Sequence, residues 1–323
     1  MPLDPRAKRF LDILAATNPP SALSLSVEER RAALAQLMKF GGPEEPVARL
    51  ESRSLPGAGG PLAVRVYTPL GADLESMPGL LYFHGGGLVA GTIGTHDAIG
   101  RALANAGACR VLSVDYRLAP EHRFPAAIED ASAAVRYIAA HGGEFGIDPA
   151  RLGVCGDSAG ATLAAVACQV AARSGTPPLA LQLLICPILD YAGSTDSRRA
   201  LATGYLVDQA TLDHDLLHYV PPGTDPADPR VSPLRAADLR GLPPTAIHTA
   251  EFDPLRDEGK AYAERLKLGG TPVSYTCHPG MIHLFYGLAA VIPYAHTAFE
   301  QIGAELRAAL ADPKGCARLA HVV

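Results

Sequence analysis

Short, nearly uninterrupted apolar runs constrain the fold of this chain more than any other feature. Gly79-Leu80-Leu81-Tyr82-Phe83-His84, Arg110-Val111-Leu112-Ser113-Val114-Asp115 and Leu181-Gln182-Leu183-Leu184-Ile185-Cys186 are too short for helices. Such runs fit strands covered on both faces, as in a parallel sheet. Two further strands are read at 245–249 and 273–277, and a half-exposed one where Leu62, Val64 and Val66 alternate with Ala63, Arg65 and Tyr67. Helical patterns stand between them at 95–107, 126–141, 255–268 and 294–310. In the second of these Ile128, Ala131, Val135 and Ile138 share one face. Strands alternating with helices mean βαβ units, so the expected class is α/β with a mostly parallel, doubly wound sheet.

Within that pattern, Leu152, Val154 and Cys155 lead into Gly156-Asp157-Ser158-Ala159-Gly160, and a helix-like Thr162-Leu163-Ala164-Ala165-Val166-Ala167 follows. Strand, sharp turn and helix around G-x-S-x-G describe a nucleophile elbow, in which a strained turn lifts the serine hydroxyl clear of the sheet edge. Gly156 and Gly160 lack the Cβ atoms that would clash there. Alone, the motif is weak, because glycine and serine are common.

Residues 1–45 read as helices, the second opened by Ser26 with Glu29 completing a capping box. Glycine and proline then mark a loop at Pro56-Gly57-Ala58-Gly59-Gly60-Pro61. From 190 to 238 the alternation breaks, leaving a helical patch at 207–219 between proline-rich loops. An insertion of that size suits a lid packed with the N-terminal helices over the carboxyl ends of the strands. The organisation expected is therefore a core at 46–189 and 239–323, with cap parts at 1–45 and 190–238.

A net charge of −5 without a basic block argues against nucleic acid. Nothing approaches the ~18 consecutive apolar residues of a membrane span, and charged residues interrupt the first dozen positions, where a signal peptide would need an apolar stretch. The cysteines at 109, 155, 168, 186, 277 and 316 lie mostly in apolar runs without paired spacing, as buried reduced thiols do. Cytoplasmic residence is expected, and so is a site that needs neither metal nor cofactor. A homodimer is admissible, but nothing in the chain specifies an oligomeric state.

A serine hydroxyl needs a base within reach and a third group to orient that base. In elbow-type sites the partners follow in the order serine, acid, histidine. Asp253 stands just past a strand end before Pro254, where it is also suited to capping a helix. Asp257 lies a turn further on and Glu251 back in the strand, which leaves Asp253 as the choice. His283 follows the next strand, in Pro279-Gly280-Met281-Ile282-His283. Upstream, His84-Gly85-Gly86-Gly87 ends an early buried strand. Its backbone N–H groups, with that of Ala159, suit an oxyanion hole. A phosphate loop would need a different spacing and a lysine.

These pieces together resemble the hormone-sensitive-lipase-like branch of α/β-hydrolases, the bacterial family IV carboxylesterases, over residues 60–310. The resemblance rests on His84-Gly85-Gly86-Gly87, on Asp115-Tyr116-Arg117-Leu118-Ala119-Pro120-Glu121-His122, on Gly156-Asp157-Ser158-Ala159-Gly160, on Asp253-Pro254-Leu255-Arg256-Asp257 and on Gly280-Met281-Ile282-His283. It implies an α/β-hydrolase fold with a helical cap, Ser158 as nucleophile, His283 as base and Asp253 as its orienter. The same likeness implies oxyanion donors at Gly86, Gly87 and Ala159, with Gly85 as an alternative, and a small ester of short to medium acyl chain as substrate. Two positions depart from the family pattern. Leu88 stands where an aromatic residue commonly follows the glycines, and Ala161-Thr162 replaces a usual Gly-Asn; both are expected to reshape the pocket.

Three rival readings remain. His214 and His218 share the i, i+4 spacing of zinc-binding helices, with aspartate where glutamate would act and no third ligand evident. A binding module on this fold, as in the plant gibberellin receptors, lacks the histidine present here at 283. Amide or peptide hydrolysis by the same triad is not separated from ester hydrolysis by these motifs. In the insertion, Arg198, Arg199, Tyr205 and Asp208 are candidates to line the pocket.

Overall fold

The apolar runs become the middle of one twisted sheet. The computed structural model describes residues 1–72 and 76–311. In chain order its main elements are α1 (Pro5–Ala16), α2 (Val27–Met38), β1 (Arg49–Gly57), β2 (Gly60–Thr68), β3 (Met77–Phe83), α3 (Asp97–Gly107), β4 (Arg110–Val114), α4 (Ala126–His141), β5 (Ile147–Asp157) and α5 (Ala159–Arg173). Then come β6 (Leu181–Ile185), α6 (Asp196–Ala200), α7 (Gln209–Tyr219), β7 (Thr245–Phe252), α8 (Arg256–Leu268), β8 (Val273–Ile282) and α9 (Tyr294–Leu310). The strand order is β1-β2-β4-β3-β5-β6-β7-β8. The β1–β2 and β2–β4 pairs are antiparallel and the remainder parallel. The expected class holds.

Because side chains alternate across a strand, β3 feeds two cores at once. Leu81 and Phe83 pack with Val135 and Ile138 of α4 and Leu163 of α5. Leu80 and Tyr82 join Leu103 of α3 with Ile302 and Leu306 of α9 on the other face. All four strand residues are fully buried, so truncating one of the leucines to alanine should cost ~2–5 kcal/mol.

Several expectations need adjusting. The glycine–proline stretch at 56–61 is the tip of a β1–β2 hairpin whose strands run into it, with Pro56 paired to Pro61 and Gly57 to Gly60. Strand β1 escaped notice because it is an edge strand with only Leu55 buried, and so carries no apolar period. Tyr67, read as outward-facing, is buried with its hydroxyl donating to Asp97 at 2.9 Å. Strands β7 and β8 each extend several residues beyond the apolar runs.

Helices do form in the two segments outside the alternating pattern, α1 and α2 in the first and α6 and α7 in the second. Ser26 Oγ accepts from Glu29 N while the Glu29 carboxylate accepts from Ser26 N, closing the capping box of α2. In the insertion Asp208 caps α7 by accepting from Thr211 N at 2.8 Å, so that helix starts at Gln209, not 207. Cys109, Cys155, Cys168 and Cys186 are buried, Cys277 is half-buried and all five are free; Cys316 lies outside the described residues. Among the described residues no helix is long and apolar enough to cross a membrane.

Candidate active site

Strand register brings the site together. Asp157 of β5 pairs with Ile185 of β6, and Ser158 is the next residue. There the chain turns at φ +51, a conformation that side chains other than glycine rarely adopt, before α5 begins at Ala159. The turn needs its flanking glycines. A Cβ at Gly156 would stand 2.2 Å from Gly160 O, and one at Gly160 would stand 2.0 Å from Phe83 O. Strain at Ser158 is held by Ser158 N donating to Ile185 O at 2.9 Å and Ile188 N donating to Ser158 O at 3.2 Å.

Two strands over, the β7–β8 register slips between Ala250 and Phe252 and resumes with Phe252 opposite Ile282. Asp253 and His283 each follow one member of that pair, so adjacent strands deliver them side by side. His283 thus follows the strand directly instead of standing on a separate loop. Asp253 Oδ2 lies 2.8 Å from His283 Nδ1, and His283 Nε2 lies 3.0 Å from Ser158 Oγ. The other Asp253 oxygen accepts from Leu255 N at 2.8 Å. It therefore fixes the turn ahead of α8, which begins at Arg256 and not at Pro254. Asp257 instead accepts from Ser197 N, and Glu251 accepts from Gly280 N. Burial works to lower the His283 pKa, but the charge and hydrogen bond of Asp253 outweigh it and hold the imidazole above its usual 6.5.

The glycine loop leaves β3 beside the elbow. Asp157 is fully buried and anchors it, accepting from Tyr82 OH at 2.6 Å, Gly85 N at 2.9 Å and Tyr286 OH at 3.1 Å. The Gly85 N–H is therefore committed, which removes it as an alternative anion donor. Gly86 at φ +117 and Gly87 at φ +69 take conformations glycine alone adopts readily, and both line the cavity with Ala159. Ala159 opens α5, where helix geometry leaves N–H groups without intrahelical partners. Tyr116, from the second family motif, stacks on His84 and donates to His84 O at 2.7 Å. His84 in turn stacks on His96. Burial lowers both pKa values, to about 3 and about 4, so these rings are neutral supports. Sequence reading missed His96, which lines the cavity, and left Tyr116 without a role.

Above Ser158 and His283 opens a cavity of about 700 Å³, roofed by Leu11 and Leu14 of α1, Leu34 and Leu37 of α2, and Leu206 and Val207 of the insertion. Leu88 and Thr162, expected to reshape it, do not line it. Leu88 is fully buried in the core, and Thr162 Oγ1 donates to Ile188 O at 2.7 Å. Of the four insertion candidates only Asp208 lines the cavity. Arg198 is buried against Glu258, Arg199 is exposed beside Asp196, and Tyr205 stacks on Phe252.

His214 and His218 do not form a metal-ready pair. His214 is buried, with Nδ1 3.1 Å from Asp215 Oδ1 and Nε2 3.3 Å from Leu25 O. Among the described residues the three donors that lie close enough together to share an ion belong to Cys186, Asp253 and His283. There the carboxylate and imidazole already bind each other, and burial holds the Cys186 thiol protonated.

A hydroxyl, an imidazole and a buried carboxylate in hydrogen-bonded series, beneath an apolar roof, can carry out acyl transfer. That geometry on a mostly parallel sheet marks the class of serine-type hydrolases. The sequence matches the alpha/beta hydrolase fold family model over residues 80–287. It is 40% identical over 316 residues to carboxylesterase NlhH of Mycobacterium tuberculosis, covering 95% of this chain and 96% of that protein. With the arylesterase of Saccharolobus solfataricus it shares 35% identity over 288 residues, 89% and 93% of the two chains. A solved ester hydrolase from the Lake Arreo metagenome, complexed with a bipyridine phosphonate derivative, superposes with TM-score 0.93 at 41% identity, covering 96% of this chain and 100% of that one. The chain belongs to the alpha/beta hydrolase fold family and is a carboxylic ester hydrolase of its hormone-sensitive-lipase-like, family IV branch.

Proposed function

We propose that the protein hydrolyses small esters of short- to medium-chain acids, with Ser158 as nucleophile, His283 as general base and Asp253 as orienter of the imidazole. His283 takes the hydroxyl proton as Ser158 Oγ bonds to the ester carbonyl carbon. The resulting oxyanion accepts from the N–H groups of Gly86, Gly87 and Ala159. Collapse breaks the bond to the alkoxy oxygen, which leaves with the proton from His283, and water repeats the two steps to free the acid. His84, Gly85, Gly156, Asp157 and Gly160 hold the frame. The observation that carries the reading is the continuous 2.8 and 3.0 Å series from Asp253 through His283 to Ser158 at the floor of the cavity.

In this reading residues 1–45 and 190–238 are the cap, and 46–189 with 239–323 the catalytic core. The buried, unpaired thiols favour work in the cytoplasm, and the net charge of −5 favours a small ligand over nucleic acid. A homodimer is compatible with it, and sedimentation would settle that point. The direct test is a p-nitrophenyl ester series of increasing acyl length on the wild type and Ser158→Ala, with a p-nitroanilide control. Expected are turnover of short and medium esters, loss with the alanine variant, and little anilide cleavage. Equal anilide turnover would favour the amidase alternative, and undiminished ester turnover by Ser158→Ala would overturn the assignment.

A further inference from the structure

Resting on the reading of Gly87 as an oxyanion donor, we propose that Arg30 and Asp215 are a positioning pair for the oxyanion loop. The pair braces Gly87 and cancels a negative charge that would otherwise face the developing oxyanion. Arg30 comes from α2 and Asp215 from α7, 185 residues apart in the chain. Arg30 Nε donates to Asp215 Oδ1 at 3.1 Å and Nη2 to Oδ2 at 2.8 Å. Both side chains are largely withdrawn from solvent, at 12% and 6% exposure, and both line the cavity with Gly87 and Ser158.

The carboxylate does more than join the two cap parts. It packs directly against the glycine loop: a Cβ built on Gly87 would stand 1.8 Å from Asp215 Oδ2 and 2.2 Å from its carboxyl carbon. Gly87 has no side chain of its own to fix its φ of +69, so the Asp215 carboxyl forms the wall behind it. A bare carboxylate there would repel the negative charge that forms on the ester oxygen, strongly so in a water-poor cavity. The two-pronged guanidinium supplies the opposing charge and fixes the carboxyl plane. Arg31, the next residue on α2, donates to Val89 O at 2.9 Å and Ala119 O at 3.1 Å and holds the helix against the same loop.

A charge effect and a purely architectural one separate in a variant cycle on the full chain, read as kcat and KM for p-nitrophenyl butyrate. Arg30→Met removes the guanidinium and leaves the carboxylate with only the 3.1 Å contact to His214 Nδ1, so it should lower kcat roughly 10- to 100-fold, while KM moves less than about threefold. Asp215→Asn keeps the wall and removes the charge, so it should lose less than Arg30→Met. Arg30→Met with Asp215→Asn should recover most of the kcat that Arg30→Met lost. Should Arg30→Met fail to fold, Arg30→Lys takes its place, with a smaller kcat loss that Asp215→Asn again relieves. The inference is overturned if the double variant is no better than the arginine variant, or if the losses fall on KM with kcat retained. Ser158→Ala runs alongside. Its continued turnover would sink the reading of the site itself, whereas an inactive Ser158→Ala with no rescue in the cycle sinks only the pair's role.

Discussion

At the scale of single residues the site depends on two carboxylates with different tasks. Asp253 raises the basicity of His283, and the proposed mechanism needs that imidazole neutral. Because the folded-state pKa lies above 6.5, the proton stays on to higher pH than in a free imidazole. The acid limb of kcat/KM should therefore have its midpoint above 6.5. A pH–rate profile checks this, and Asp253→Asn should move the midpoint down while reducing kcat by ~10⁴-fold, on the serine-protease precedent. Asp157 does no chemistry in this account but accepts from three buried donors. Asp157→Asn turns an amide N–H toward at least one of them, so unfolding should become easier by ~1–3 kcal/mol, measurable by urea denaturation.

At the scale of elements, the strand ends choose which residues meet. The parallel strands were legible as apolar runs because both faces of the sheet are covered. The elbow was legible because its glycines are a steric necessity, as the 2.0 and 2.2 Å contacts of hypothetical Cβ atoms show. Less legible were features with no local period, such as the edge hairpin at Pro56 and the register slip after Ala250 that aligns Asp253 with His283. Contacts between distant segments, such as Tyr286 to Asp157 or Arg30 to Asp215, left no trace in spacing at all. The residues beside the elbow misled in the opposite direction: Leu88 and Thr162 looked like pocket residues but are spent on the core and on Ile188 O. Helices α1 and α2, by contrast, do line the cavity above Ser158. Leu34→Trp should fill part of its 700 Å³ and shift the preferred acyl chain toward shorter esters. An unchanged chain-length profile in the ester series would count against the roof assignment.

For the molecule as a whole, several buried histidines are neutral in the fold and charge only when it opens. Burial lowers His84 to about 3, His96 to about 4 and His278 to about 3, the last with help from the charge of His248. Between 6.5 and those values the unfolded chain binds more protons than the folded one, so stability should fall as pH drops through that window. His283, Asp157 and Glu258, the last pushed up to about 7 by burial, act in the opposite direction. Thermal melts from pH 7 to 4 report the sum, and His278→Gln should flatten the slope if its share has the stated sign. One further measurement reaches the centre of the account: the mass of the protein, and of its peptides, after reaction with a p-nitrophenyl alkylphosphonate. A single adduct on the peptide carrying Ser158, formed far more slowly in His283→Ala, is the result expected. An adduct on any other residue, or equal labelling rates with and without the imidazole, would contradict it.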